Sequence, residues 1–477
     1  MSGAFLVFNL IISIAIMIAL ILVPKFNPAL SLVIASIYMG VTCGLGFVNS
    51  IETIGTGFGN MMAGIGLPIG FGVILGQLMS DTGAAKVIAR TIVHAVPNKY
   101  VLYAVAFAGF VLAIPVFFDV TFIILIPIGV AVAREVNKPL AYVVGALTIG
   151  DGIAQTLVPP TPNPLAAPGI LNFDLGTMVI MGLIIGAIAT LISVFVYTKI
   201  HDKGIFDAEK DVNKDAEIYV EEDLNENQKV PGFFVSLLPI LLPVFCILVG
   251  TGALAVSENV PWIAQFLGNK IIAIMIGTLC AYFIGYKYLG RNKVENSANE
   301  ALKQAGVVLL ITGAGGSFGA VIAATDIGNA LVSTLNINSG SVLKTLLLAY
   351  FIGCIFRIAQ GSGTVAGITA MTIMATIAPS VSVHPVYIAL AALAGGISVG
   401  HVNDSGFWVV SNMSGFNVKG GLKTYTLAQM IMSVSIYVFN SYLCIDFAGS
   451  NRLKTCGFTE YVQQKEDVLL FLICKSI

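Results

Sequence analysis

Ala4 to Val23 contains no charged residue, and neither does Leu175 to Tyr197. Apolar runs of this kind recur along the chain and limit its fold more than any other feature. About twenty apolar residues in a helix span the ~30 Å hydrocarbon core of a bilayer. Inside that core every backbone N–H and C=O must be satisfied by the protein, which leaves helix bundles and closed barrels. Barrel strands alternate apolar and polar residues over about ten positions, and these runs do not alternate. The chain therefore reads as an all-α polytopic membrane protein with the lipid bilayer as its surroundings. Composition agrees: 57% of the 477 residues are hydrophobic and 10% are charged, against roughly 25% charged in soluble proteins. A net charge of −1 gives no electrostatic case for a nucleic-acid partner. The apolar N-terminus lacks a basic leader and reads as a first membrane helix, not a cleaved signal. The seven scattered cysteines show no CxxC pair, so they read as small core residues and neither metal nor disulfide is expected.

The organisation is bipartite. Residues 1–200 read as a first transmembrane repeat and residues 232–443 as a second. Between them, residues 201–231 are polar and acidic and read as a linker outside the membrane. Residues 444–477 form an atypical tail. "SDTGAA" at Ser80 resembles "TDIGNA" at Thr325, which offsets the halves by 245 residues. At that offset Phe117 and Asp119 fall opposite Ser362 and Thr364, and "GDGIAQTLVPPTPNP" falls one residue out of step with "AGGISVGHVNDSGFW". Each half thus carries two Gly/Pro-interrupted apolar segments. They are Pro115 to Pro127 and Gly150 to Pro164, then Arg357 to Thr364 and Gly395 to Phe407. Paired interruptions of this kind point to two pseudo-symmetric repeats with broken or re-entrant segments, and to a transport site between them. "VPPTPNP", with four prolines at positions 159–164, is expected to be extended.

Several polar residues lie inside apolar sequence. Arg357 is flanked by "YFIGCIF" and "IAQGSG"; a guanidinium at membrane depth is costly and needs a partner. It suits a substrate carboxylate, and equally a structural ion pair with Asp119 or Asp404. Gln360, Ser362 and Thr364 follow it in a turn whose free N–H groups favour an anion if a half-helix begins there. His401, Asn403, Asp404 and Ser405 cluster in "GHVNDSGFW", either as substrate or proton groups or as an interfacial loop beside Trp408. Asp119 and Asp151 are lone acids in apolar runs, and Asp151 reads either as a proton site or as a helix cap. No nucleophile–base or metal constellation is found, so an enzyme is not expected. "GAGGSFG" at Gly313 lacks the context of a nucleotide loop and reads as close helix packing.

"IPVFFDVTFIILIPI", "RIAQGSGTVAGITAM" and "HVNDSGFWVVSNMSGFNVKGGLKTYTL" together resemble the gluconate permease family of proton-linked sugar-acid symporters, part of the ion transporter superfamily. The resemblance runs from about Leu6 to about Ser435. It implies a multi-pass carrier of the bacterial inner membrane that imports gluconate or a related small hydroxylated monocarboxylate with a proton. No cofactor is implied; the proton is the coupling ion. A sodium-coupled carboxylate or dicarboxylate carrier of the same superfamily is the alternative. Family members often carry a His and a Gly where this chain has Thr161 and Asn163. On this reading Arg357, Gln360, Ser362 and Thr364 hold the carboxylate, while Asn403, Asp404, Ser405 and Thr161 serve the hydroxyls. Asp119 is the first candidate for proton coupling, followed by Asp404, His401 and Asp151. Oligomeric state has no sequence signature, and a homo-oligomer is left open.

Overall fold

The computed structural model describes residues 3–24, 26–213, 229–256, 261–325, 342–402 and 404–449. Among these the chain is helical, and the one β pairing is an isolated bridge between Val212 and Phe416. Seven helices among the described residues are long and apolar enough to cross a bilayer. The fold is all-α and multi-pass, as the apolar runs require. Asn403, Asp326 of the "TDIGNA" stretch, residues 214–228 of the linker and the tail beyond Gly449 lie outside the described residues.

The first half contains α1 (Gly3–Leu22), α2 (Pro28–Thr42), α3 (Gly46–Asp81), α4 (Ala84–His94), α5 (Val101–Ala113), α6 (Phe118–Glu135), α7 (Leu140–Leu157), α8 (Pro162–Leu171) and α9 (Leu175–His201). In the second half lie α10 (Phe233–Val256), α11 (Trp262–Gly268), α12 (Lys270–Tyr288), α13 (Arg291–Ala323), α14 (Val342–Gln360), α15 (Gly363–Ala375), α16 (Pro385–Gly396), α17 (Ser405–Met413) and α18 (Leu427–Gly449). Helix starts at residues 46, 118 and 140 recur at 291, 363 and 385, each 245 residues further on, the offset at which the two halves align in sequence. α18 continues past residue 443 to Gly449, so the start of the tail segment is helix.

Two kinds of helix are present. α3, α9 and α13 have 36, 27 and 33 residues, ample for a bilayer at 1.5 Å per residue. α5, α8, α15, α16 and α17 have 13, 10, 13, 12 and 9 residues and are too short to cross it alone. The breaks are narrower than the apolar pattern indicates. α5 stops at Ala113, two residues before Pro115, and α6 resumes at Phe118. Pro127 is not the far edge of this break, because α6 continues through it to Glu135. A membrane helix tolerates the one lost hydrogen bond when neighbouring helices enclose it. α7 likewise runs unbroken to Leu157, placing Asp151 in mid-helix, so the helix-cap reading of Asp151 is wrong.

The expectation of an extended "VPPTPNP" also fails in part. Thr161 is extended, with φ −62° and ψ 155°, but α8 begins at Pro162. Prolines at the first and third helical positions lack N–H groups that would have had no intrahelical acceptor there. The starting rule that proline breaks helices applies to their interiors.

Glycine sets the closest helix contacts. "GAGGSFG" lies within α13, where a Cβ on Gly57 of α3 would sit 2.5 Å from the Ala320 Cβ. Ser317 Oγ donates to the Ile54 carbonyl at 2.9 Å across the same seam. The packing reading of that motif is the one the fold bears out. Between α5 and α7 the backbones approach still more closely: a Cβ on Gly150 would lie 1.7 Å from the Ala106 carbonyl oxygen.

Candidate substrate site

The interrupted segments meet around one cavity of about 670 Å³, within the usual size range of small-molecule sites. Phe118 and Asp119 begin α6, Pro162 and Asn163 begin α8, Gly363 and Thr364 begin α15, and Ser405 and Gly406 begin α17; all eight line the cavity. Four helix N-termini therefore converge on it. The first N–H groups of a helix have no intrahelical acceptor, and its N-terminal end carries roughly half a positive charge. A cavity enclosed by four such ends favours an anion. Gly361 makes one of the breaks, holding φ +81°, a left-handed conformation that glycine adopts without steric cost. Ser362 then caps α15 by accepting from the Val365 N–H at 3.4 Å.

Arg357 lies in the last turn of α14 and is only 3% exposed. Its guanidinium is ion-paired with the Asp404 carboxylate. It also donates to the Gly361 carbonyl and to Gln429 Oε1, the latter at 2.7 Å. Tyr425 Oη donates to the same Asp404 oxygen, and Arg357 Nη2 is 3.5 Å from that hydroxyl. Asp404 in turn caps α17, accepting from the Gly406 N–H at 3.0 Å. Of the two ion pairs open at the sequence level, the structure thus forms the one with Asp404, not with Asp119. One donor of the guanidinium, Nε–H, is buried without a partner among the described residues.

The remaining predicted residues divide into two groups. Asp119, Ser362, Thr364 and Ser405 line the cavity with Arg357 and Asp404. His401 does not: its ring nitrogen contacts the Ile358 carbonyl at 3.2 Å, away from the Asp404 carboxylate. Thr161 turns back into its own loop, donating to the Gln155 and Val158 carbonyls at 2.7 and 3.0 Å. Asp151 is fully buried with no partner for either oxygen among the described residues, and Gly152 beside it reaches the cavity. Gln360 ends α14, but its side chain lies outside the described structure, as does Asn403.

The structure adds residues that sequence reasoning missed. Tyr425 and Gln429 reach the cavity four positions apart, a spacing that puts them on one helical face. A polar pair at that spacing at the start of an apolar run was the available signal. Asn163, Gln155 and Thr156 also line the cavity. Asn163 Nδ2 donates to the Gly363 carbonyl at 3.2 Å across the two halves, and its amide oxygen has no partner among the described residues. Phe118 packs edge-on to Tyr425, with ring centroids 5.8 Å apart, so an apolar wall stands beside the polar cluster.

A multi-pass helical chain whose interrupted helices point their N-termini at one cavity holding a buried arginine is a membrane transporter. Its family follows from sequence. The chain belongs to the GntP permeases: the family model described as GntP family permease matches residues 5–445. It is 32% identical to a gluconate permease of Pseudomonas aeruginosa, over 91% of this chain and 97% of that one. It is 28% identical to a high-affinity gluconate transporter of Escherichia coli, over 89% and 96% of the two chains. Among solved structures, the Alcanivorax borkumensis YdaH transporter superposes with a TM-score of 0.61 at 13% identity, over 88% of this chain and 98% of that one; this likeness concerns fold alone. The protein is a multi-pass permease of the inner membrane, not an enzyme.

Proposed function

We propose that this permease imports gluconate, or a closely related small hydroxylated monocarboxylate, together with a proton. The observation that carries the reading is the convergence of four helix N-termini and Arg357 on one cavity. The names of the relatives agree with it. In the proposed cycle the substrate carboxylate takes the place of the Asp404 carboxylate on the Arg357 guanidinium, with the spare Nε–H as its first donor. Displaced from its cation inside a membrane cavity, Asp404 accepts a proton, because an unpaired charge there is costly to keep. Asp119, which has no cation partner among the described residues, supplies the route by which that proton reaches the cavity. The substrate hydroxyls are served by Asn163, Gln155, Thr156 and Ser405, and Thr364 completes the carboxylate cradle. Each half contributes interrupted helices to the site, and the two halves act as paired repeats in exposing it to either side.

Calorimetric titration of the purified permease with gluconate tests this exchange. In buffers of different ionisation enthalpy, the account expects net uptake of about one proton per gluconate bound, reduced to near zero in Asp404→Asn. Binding without proton uptake in the native protein would remove the exchange.

A further inference from the structure

The chain leaving α9 does not depart directly into the linker. It folds back onto the segment that carries Tyr425. Asn213 N–H donates to the Gly415 carbonyl at 2.9 Å, and Asn417 N–H donates to the Asp211 carbonyl at 3.0 Å. Asp211 is 1% exposed, and its carboxylate accepts from Lys423 Nζ at 2.7 Å. His201, the last residue of α9, contacts the Lys423 carbonyl at 3.1 Å through its ring nitrogen. Lys423 lies in a π-helical turn, Leu422–Thr426. π-turns are rare and concentrate at functional sites. Here the turn ends in Tyr425, which donates to Asp404, and Thr426, whose hydroxyl donates to the Gly400 carbonyl at 2.5 Å.

We infer that Asp211 and Lys423 are positioning residues for the substrate site: their ion pair, in which Asp211 is buried and Lys423 half-buried, braces the π-turn and thereby sets Tyr425 against the Arg357–Asp404 pair. The brace ties the start of the linker to the turn that completes the site in the second half. The inference rests on reading the cavity as the substrate site. The geometry separates this pair from its neighbour in the same segment. Lys210 and Asp207 also pair at 2.7 Å, but with side chains 79% and 37% exposed, and exposed pairs of this kind contribute little. Asp211 is different: it is buried, and removing Lys423 leaves its charge uncompensated inside the protein.

The test compares Asp211→Asn and Lys423→Gln with Lys210→Ala in reconstituted gluconate uptake, alongside hydrogen exchange of peptides covering residues 418–429. The brace predicts faster exchange in both pair variants and a KM raised about tenfold, equivalent to ~1.4 kcal/mol, with kcat within about twofold. Lys210→Ala should match the native protein, and Asp211→Glu should recover most of the KM. Faster exchange with an unchanged KM would make the pair structural only and overturn the inference, as would unchanged exchange. Failure of the native protein to take up gluconate would instead contradict the substrate reading. The exchange measurement still decides the brace in that event.

Discussion

Arg357 shows how much one residue's surroundings decide. Alone in an apolar run it would be costly; in the structure four groups meet it, and the cost of burial is offset by Asp404, Gln429, Tyr425 and the Gly361 carbonyl. Lysine cannot reproduce that planar set of donors. Arg357→Lys should therefore raise the KM for substrate at least about tenfold, or ~1.4 kcal/mol, in uptake measured per molecule of reconstituted protein. An unchanged KM would take Arg357 out of the substrate site. Tyr425→Phe removes the hydrogen bond to Asp404 and the long contact with Arg357 Nη2 and should cost about 1 kcal/mol, a KM rise of roughly fivefold. Arg357, Asp404 and Asp119 were legible in the sequence because a charge inside an apolar run stands out. Tyr425 and Gln429 were not. They lie 68 and 72 positions from Arg357, and a tyrosine or glutamine at the edge of a membrane helix is unremarkable until its partner is known.

At the scale of the element, the sequence located the breaks but not their edges. Pro115 and Gly361 mark real interruptions, because one precludes a ladder hydrogen bond and the other supplies a left-handed turn. Pro127, Pro162 and Pro164 look the same in sequence and sit inside helices. What separates the two cases is position relative to the first helical turn and the enclosure given by neighbouring helices, neither of which a single sequence displays. The glycines carry a related lesson about packing. Gly150→Ala would drive a methyl into the Ala106 carbonyl, whereas a Cβ on Gly169 meets nothing within 4 Å. Gly150→Ala should thus sharply lower the thermal midpoint of the purified protein or its abundance in the membrane. Gly169→Ala should leave both unchanged or gain about 0.5–1 kcal/mol from helix propensity. Equal behaviour of the two variants would contradict the packing described between α5 and α7.

For the whole molecule, two halves with helix starts at a common offset of 245 residues bring interrupted helices to one cavity, and the site takes groups from both. Asn163 of α8 bonding to Gly363 at the start of α15 is a direct physical link between them at the cavity. In the proposed cycle this convergence makes separate motifs, each ambiguous alone, into one anion site where Asp119 and Asp404 exchange a proton and a carboxylate together. The central claim is that substrate entry and protonation are one event at Arg357 and Asp404. The most direct measurement is gluconate accumulation in proteoliposomes carrying the native protein or Asp404→Asn, driven by an inward proton gradient or by an inward sodium gradient. The account predicts uphill accumulation by the native protein with the proton gradient alone, and its loss in Asp404→Asn. Accumulation that requires the sodium gradient, or proton-driven accumulation that survives in Asp404→Asn, would contradict it.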